Sequence, residues 1–504
     1  MAQPARNQEG TAPAAGRRDT GTAGRLDAGT AGRRDTRQPP AGQQPVTGQG
    51  EAGPGHPSDT LTAARTAARP ASLAAAAATA AAAVTRPAEP GQQPAARQPG
   101  AERPAAAGPV RARGQQGAAA PAGPGQLPVR PPLPLDASVP LPLPVSDYRL
   151  DTPAMLVDLD VADANITKMA AFAERAGLRL RPHIKTHKSV AMAERQLAAG
   201  AAGLCVATVT EAAAMTAAGM YDLTLAYPVV GRRKLERLAG ICRLADITLV
   251  TDSEDVTDGY QELARQAGRP LDVLIEVDTG MHRVGVPPER VVRLASYLSR
   301  AAGLRFRGIL THAGHAHDAD GQLGIERTAR AEAAVMGGLR ADLEYAGHEV
   351  SVVSAGSTLT SRYLSSSDGI TEIRPGTYVY NDLRTVGCWS CTPEEIAIAM
   401  LATVISVDSD RVTVDAGNKT LTSTSVPVYG SGHLAGHPDS AFTRLTEEHG
   451  VLSVPADHSL RVGDRVRVLP VHACVWSDLQ PEVYGSRGGQ VVERIRVDAF
   501  RHSL

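Results

Sequence analysis

The hydrophobic and polar positions divide the chain into three regions of different periodicity. Between about residues 150 and 375, short apolar runs such as 204–208 and 273–277 alternate with stretches of helical periodicity. The series begins with an apolar run at 154–159 and a helical segment at 162–176. Repeated strand–helix units of this spacing predict a parallel sheet covered by helices. About eight such units favour a (β/α)₈ barrel, an α/β fold, over residues 145–375.

The pattern changes after Pro375. Apolar and polar residues alternate with a period of two at 402–407, 411–415, 462–470 and 490–497, and polar turns separate these runs. Such alternation is typical of antiparallel strands with one buried face. A β domain is therefore expected at residues 376–504.

Residues 1–144 show neither pattern. They are dominated by Ala, Pro, Gly, Gln, Arg and Thr, and the first aromatic residue of the chain is Tyr148. This composition cannot bury enough apolar area to offset chain entropy, so it predicts a long disordered N-terminal extension. A start codon assigned too far upstream would also explain it.

Charge and cysteine content narrow the possible partners and the compartment. The formal net charge of −1 gives no reason to expect a nucleic-acid partner, and no run is long and apolar enough for a membrane span. Five cysteines in a long chain without a secretory signal predict a reducing, cytoplasmic location.

Chemically active residues cluster at the ends of predicted strands. Lys185, in Arg-Pro-His-Ile-Lys-Thr-His-Lys, stands at the carboxyl end of a barrel strand, where barrels place their chemistry, and Lys188 is the competing lysine. His472 and Cys474 would share one side of a strand, and imidazole plus thiolate suits zinc. His312, His315 and His317 have a spacing that a metal site could also use.

Several motifs, taken in order, resemble the D-serine dehydratase and D-threonine aldolase group of fold-type III (alanine-racemase-like) pyridoxal-phosphate enzymes. The resemblance runs from about Leu150 to Arg501. It rests on RPHIKTHK (181–188), EVDTGMHRVG (276–285), THAGH (311–315), SAGSTLT (354–360), EIRPGTYVYND (372–382), DAGNK (415–419), EEHG (447–450) and PVHACVW (470–476).

This resemblance implies roles for individual residues. Lys185 matches the lysine that forms a Schiff base with pyridoxal 5'-phosphate, and Arg283 and His312 would lie beside the cofactor ring. His472 and Cys474 match a pair of metal ligands, expected to hold Zn²⁺, with Mn²⁺ or Mg²⁺ as alternatives. The phosphate would be bound by small and hydroxyl residues of the last barrel loops, namely Ser357, Thr358, Gly376, Thr377 and Tyr380.

The implied activity is that of a metal-dependent lyase acting on D-3-hydroxy amino acids, working as a homodimer. Members resembling D-serine dehydratase carry His-x-Cys at the metal position, as this chain does, whereas members resembling D-threonine aldolase carry His-x-Asp. The sequence therefore favours conversion of D-serine to pyruvate and ammonia over retro-aldol cleavage to glycine and an aldehyde. An amino-acid racemase and a pyridoxal-phosphate-binding homeostasis protein remain as less favoured alternatives.

Overall fold

The computed structural model describes residues 133–426 and 429–501, so most of the expected N-terminal extension lies outside the described residues. The last part of that segment is packed. Leu135 and Leu143 are buried in one apolar cluster with Tyr484, and the Leu135 N–H donates to the Tyr484 hydroxyl at 3.1 Å. The packed chain therefore begins before the boundary expected at residue 144, because leucines among the prolines of this segment supply apolar surface.

The first two strands, β1 (Leu143–Pro144) and β2 (Ala154–Asp158), do not belong to the barrel. Strand β2 was expected to open the series of barrel units, but it pairs with residues of the C-terminal region at Ile398–Leu401 and Tyr484–Ser486. Periodicity identified β2 as a buried strand, whereas its partners are set by tertiary structure. Helix α1 (Leu159–Arg175) follows, and its N-terminal N–H groups are capped by the Asp158 carboxylate.

Within residues 133–426 and 429–501, eight parallel strands form the barrel. They are β3 (Arg179–Leu180), β4 (Leu204–Val206), β5 (Asp222–Leu225), β6 (Asp246–Thr251), β7 (Leu271–Val277), β8 (Leu304–Thr311), β9 (Val352–Ala355) and β10 (Glu372–Ile373). Neighbours along the chain pair from β4 to β10, and β10 pairs with β3. A parallel bridge between His183 and Cys205 joins β3 to β4 and closes the cylinder, as the sequence predicted.

Helices connect the strands and cover the barrel. They are α2 (Val190–Ala198), α3 (Val209–Ala217), α4 (Arg232–Cys242), α5 (Glu254–Ala267), α6 (Val291–Leu298) and α7 (Gly321–Tyr345). Side chains from these helices and from the strands form one continuous apolar core, which includes Leu249, Tyr260 and Met336. The strands are thereby held so that their carboxyl ends meet at one rim.

A second sheet follows the barrel and is antiparallel except where β2 runs parallel to β17. Its later strands are β11 (Ile398–Val407), β12 (Arg411–Val414), β13 (His433–Leu434), β14 (Ala441–Leu445), β15 (Gly450–Ser453), β16 (Arg465–Leu469), β17 (Glu482–Arg487) and β18 (Gln490–Arg496). Three short helices accompany these strands in the described part of the chain: α8 (Leu383–Gly387), α9 (Asn418–Leu421) and α10 (Ala473–Asp478). No helix among the described residues is long and apolar enough to cross a membrane.

Candidate active site

Lys185 lies at the carboxyl rim of the barrel. Strand β3 ends at Leu180, and a 3₁₀ turn, Ile184–Thr186, then places Lys185 half-buried on the wall of a cavity of ≈ 600 Å³. Of the ten residues that the sequence predicted for the site, nine line this cavity: Lys185, Arg283, His312, Ser357, Thr358, Gly376, Thr377, His472 and Cys474. The residues from Lys185 to Thr377 are brought together because parallel barrel strands end at a common rim, whereas His472 and Cys474 reach the cavity from the turn after β16.

Tyr380 is the exception, and the expectation that its hydroxyl helps to bind phosphate is not supported. Its ring is buried in the core beneath the second sheet, outside the cavity lining, and stands edge-on to His187 with 6.3 Å between ring centroids. The 3₁₀ turn Thr377–Val379 ends at Tyr380 and carries it away from the rim. Because the ring is buried in this apolar cluster, it is a packing element.

The two lysines of the 181–188 motif differ in their surroundings. Lys188 also lines the cavity, but its ammonium lies 2.6 Å from Asp478 Oδ1 and 3.7 Å from Glu211 Oε1. Burial raises the pKa of Glu211, whose other oxygen accepts the Ala207 N–H at 2.6 Å. Because Lys188 is held by carboxylates, Lys185 is the more available amine of the two.

Neutral histidines surround Lys185. Burial, followed by the charges of Lys185 and Arg374, holds the pKa of His183 and His312 well below the usual value. His317 also lines the cavity, and burial lowers its pKa to about 4. His315 lies elsewhere, against Gly280, so the H-x-x-H-x-H spacing does not gather three rings at one point.

The loops after β9 and β10 form a polar cradle at one end of the cavity. The N–H groups of Thr358 and Gly376 donate to no acceptor within residues 133–426 and 429–501. A side chain at Gly376 would place its Cβ 3.0 Å from the His183 carbonyl oxygen, and Gly356, at φ +81°, would meet Ser361 Oγ at 2.7 Å. Close backbone approach with free N–H groups and hydroxyls suits a phosphate.

Five charged residues of the cavity were not predicted from the sequence: Glu211, Glu276, Arg374, Arg384 and Asp478. Arg374 is buried, and its guanidinium donates to Ser354 Oγ at 2.6 Å and to the Thr311 carbonyl at 2.5 Å. The signal for Arg374 was available, because it stands two residues before Gly376 in the EIRPGTYVYND motif. Burial raises the pKa of the Glu276 carboxyl to about 7. The charges of Arg374 and Arg283 lower this pKa, but by less than burial raises it.

The sequence predicted that the proposed metal pair lies on one strand. In the structure the pair lies at the start of a helix. His472 caps α10 and Cys474 is the second residue of that helix, because the chain turns after β16. Cys474 Sγ lies 3.2 Å from Thr186 Oγ1 and 3.9 Å from Thr377 Oγ1, close to the Lys185 turn. Burial lowers the pKa of His472, which favours the neutral imidazole, and one ring nitrogen of a neutral imidazole has a lone pair for a metal.

Asp382 holds in place the part of the cavity wall that carries His472 and Cys474, which we call the metal corner. Its carboxylate accepts the Ala473 N–H at 3.0 Å and the Thr385 N–H at 2.8 Å, and it thereby caps α8 while holding the start of α10. The described residues contain no group of three or more His, Cys, Asp or Glu side chains arranged to bind a metal. A metal at His472 and Cys474 would therefore need water and substrate to complete its coordination, as catalytic sites do.

Comparisons with known proteins agree with this fold. Residues 157–383 match the alanine racemase N-terminal domain, and residues 397–486 match a serine dehydratase domain. The D-threo-3-hydroxyaspartate dehydratase of Delftia sp. (strain HT23) is 36% identical over 347 residues, covering 64% of this chain and 91% of the relative. The D-threonine aldolase of Arthrobacter sp. is 32% identical over 356 residues, covering 69% and 92%.

A solved structure of a cysteine-to-alanine variant of D-threo-3-hydroxyaspartate dehydratase, in the metal-free form, is also similar. It superposes with a TM-score of 0.65 at 32% identity and covers 69% of this chain and 97% of that chain. Barrel and second sheet are thus both shared with these proteins.

Proposed function

This chain belongs to the fold-type III pyridoxal-phosphate lyases, in the group that contains D-serine dehydratases and D-threonine aldolases, and we propose that it dehydrates D-3-hydroxy amino acids. D-serine, the simplest of them, would give pyruvate and ammonia. One observation carries the proposal: the Lys185 amine and the His472–Cys474 pair line the same cavity. An amine that can take a proton and a pair that can hold a metal are what elimination of a β-hydroxyl needs.

The cavity suits pyridoxal 5'-phosphate. Lys185 would hold the aldehyde carbon, and Ser357, Thr358, Gly376 and Thr377 would hold the phosphate in the cradle described above. When bound, this cofactor draws electrons away from the substrate α-carbon. Lys185 Nζ is then the group that takes the α-proton. His312 stays neutral beside it because it is buried near cations, so it can orient the ring without adding charge.

The metal site rests on the chemistry of its two donors. Imidazole and thiolate are borderline and soft ligands, which favours zinc over Mn²⁺ or Mg²⁺. When bound, the metal acts as a Lewis acid for the departing hydroxyl. The description of a relative's cysteine-to-alanine variant as a metal-free form supports a metal in this family.

Assembly and compartment are also proposals. The five cysteines are free thiols, which favours a reducing compartment such as the cytoplasm. The resemblance to the family favours a homodimer. Sedimentation of the purified protein at several concentrations measures the assembly.

Retro-aldol cleavage is the second candidate function. The similarity to D-threonine aldolase supports it, and it would use the same lysine and the same metal pair. In that reaction the β-hydroxyl loses its proton and the bond between Cα and Cβ breaks, which gives glycine and an aldehyde. Cys474, in place of an aspartate, favours dehydration.

Incubation with D-serine and with D-threonine separates the two reactions. Dehydration releases pyruvate or 2-oxobutyrate with ammonia, whereas cleavage of D-threonine releases glycine. We expect keto acid to be the main product. Glycine as the main product from D-threonine would favour the aldolase, and no turnover of either substrate would contradict both candidates.

Metal analysis tests the role of the metal pair. We expect about one zinc per chain in the purified enzyme, and loss of zinc and turnover in His472→Ala and in Cys474→Ala. Cys391→Ala is the matched control, because Cys391 is a free thiol outside the cavity lining. Full turnover by zinc-free enzyme would remove the metal from the reaction.

A further inference from the structure

Glu332 is a buried carboxyl that lies against the loop after β9, outside the cavity lining. It belongs to helix α7 and is 2% exposed. Its Oε1 accepts the Gly356 N–H at 3.1 Å, whereas its Oε2 has no hydrogen-bond partner in the part of the chain that the structure describes. Arg374 acts on it only from a distance, because that guanidinium is bonded to Ser354 and Thr311. A carboxyl buried in this way is costly, so its presence needs a reason.

The carboxyl contacts the loop that forms one side of the polar cradle. Gly356 turns the chain directly after β9 with φ +81°, and its N–H points to Glu332. The Thr360 hydroxyl lies beside the same carboxyl and accepts the Ser357 N–H at 2.9 Å. Glu332 thereby holds Gly356 directly and Ser357 through Thr360. The Thr358 N–H, between these anchored groups, donates to no acceptor among residues 133–426 and 429–501.

The same carboxyl also lies beside the loop after β8. The Ala313 N–H is close enough to lower the pKa of Glu332, and Ala313 directly follows His312, which lines the cavity. One side chain of α7 therefore contacts the backbone of two cavity loops. Because β8 and β9 are neighbours in the barrel, a single group between their loops can set the position of both.

The charge of Glu332 matters because the cradle suits an anion. An ionised carboxylate next to a phosphate would repel it, and no arginine or lysine of the described residues is bonded to this carboxyl to offset the charge. Burial raises the pKa of Glu332, and the neighbouring donors and the charge of Arg374 lower it by less. A neutral carboxylic acid still offers a carbonyl oxygen to the Gly356 N–H.

We propose that Glu332 is a positioning residue for the cofactor phosphate, and that it acts as a neutral acid. It holds the turn at 356–360 so that the Thr358 N–H and the Ser357 hydroxyl face the phosphate. This inference rests on the proposed cofactor site and is independent of which reaction follows. An uncharged hydrogen-bond acceptor of the same shape should replace Glu332, whereas an apolar side chain should not.

Two aldehydes that differ only in the phosphate test the proposal. The full-length chain, freed of cofactor, is titrated with pyridoxal 5'-phosphate and with pyridoxal, and binding is followed by absorbance. Glu332→Met, which fills similar space without an acceptor, should weaken pyridoxal 5'-phosphate by roughly 10- to 100-fold and leave pyridoxal unchanged. Glu332→Gln should keep both wild-type affinities. Glu344→Met is the matched control, because Glu344 is exposed on the same helix and pairs with Arg340.

A second variant tests the link through Thr360. Thr360→Val removes the hydroxyl beside Glu332 at nearly constant volume, so it should cause the same selective loss of pyridoxal 5'-phosphate. The phosphorus NMR shift of the bound cofactor should change in Thr360→Val and in Glu332→Met but not in Glu332→Gln. Melting temperatures of the cofactor-free proteins separate a local effect from a general loss of fold. If Glu332→Met does not fold, Thr360→Val and Glu332→Gln still decide the outcome.

Three results would overturn the proposal. Equal losses for the two aldehydes would mean that Glu332 supports the fold and not the phosphate site. Losses in Glu332→Gln as large as those in Glu332→Met would mean that an ionised carboxylate is required. Wild-type protein that binds pyridoxal 5'-phosphate no more tightly than pyridoxal would rule out the cradle itself. Failure of the proposed dehydratase function is distinguishable, because these titrations contain no substrate.

Discussion

At the scale of single residues, the chemistry of the cavity depends on which of its lysines is paired with a carboxylate. Lys188 and Lys185 are three positions apart in one motif, yet only Lys188 has carboxylates at 2.6 and 3.7 Å. Sequence position favoured Lys185 because it comes first after the strand, and the ion pairs of Lys188 support that choice. The distinction between the two lysines is therefore electrostatic.

Replacement of Lys185 tests this distinction. Borohydride reduction of the holoenzyme should attach the cofactor to the peptide that contains Lys185, and Lys185→Ala should lose both that adduct and turnover. Mass spectrometry of the digested protein measures the site. Lys168→Ala, on the exposed face of α1, is the control and should keep both properties. An adduct mapped to Lys188 would contradict the assignment.

Glu276 should make the stability of the cofactor-free protein depend on pH. Its folded pKa of about 7 lies above the ordinary value of 4.5, so the folded state keeps a proton that the unfolded chain releases. The resulting stability is fully present below about pH 4.5 and is lost as pH rises through about 7. Glu276→Gln removes this dependence, with a difference between the two proteins of at most about 3 kcal/mol across that window.

Urea unfolding of both proteins at several pH values measures this difference. The free energy of unfolding of Glu276→Gln should rise relative to the wild type between about pH 4.5 and 7 and then level off. Parallel stability curves would mean that the carboxyl is ionised in the folded protein. Glu262→Gln is an exposed control, because Glu262 is paired only with Arg265 and Gln266 at the surface.

At the scale of elements, two short helices determine where His472 and Cys474 lie. Helices α8 and α10 lie far apart in sequence, and Asp382 links them by accepting N–H groups from Thr385 and Ala473. Helices this short are not stable alone, so their termini depend on such caps. The orientation of His472 and Cys474 thus depends on the Asp382 carboxylate.

Asp382→Ala should loosen this corner. Loss of the cap costs about 1 kcal/mol, and the Ala473 N–H is left buried without an acceptor, so the melting temperature should fall. If the metal site is as proposed, zinc affinity should fall as well, whereas cofactor binding at Lys185 should remain. Asp382→Asn keeps one oxygen acceptor and should show a smaller effect. Unchanged zinc affinity in Asp382→Ala would contradict the link.

At the scale of the whole molecule, the N-terminal strands belong to the second sheet and not to the barrel. Strand β2 runs between β11 and β17, although it precedes every barrel strand in the chain. Leu135, Leu143 and Leu150 are buried in the cluster that contains Tyr484. Removal of the first strands would therefore expose the second sheet and not the barrel.

Truncation measures how much of the N-terminal region the fold needs. A chain shortened to residues 133–504 should keep its melting temperature and turnover, because the composition of residues 1–132 supplies little apolar surface. A chain shortened to residues 151–504 lacks three buried leucines and the bond to Tyr484, and it should be less stable by several kcal/mol. Equal stability of the two shortened chains would mean that the buried leucines contribute little.

The sequence alone determined the fold class, the order of barrel and β region, and nine residues that line the cavity. It could do so because burial follows local periodicity, and because barrel strands present the residues that follow them at one rim. It did not determine that β2 joins the second sheet, that Tyr380 faces the core, or that His472 and Cys474 begin a helix. It also missed Glu211, Glu276, Arg374, Arg384 and Asp478. Strand partners, side-chain burial and uncompensated charge are properties of contacts between distant segments, so tertiary structure decided them.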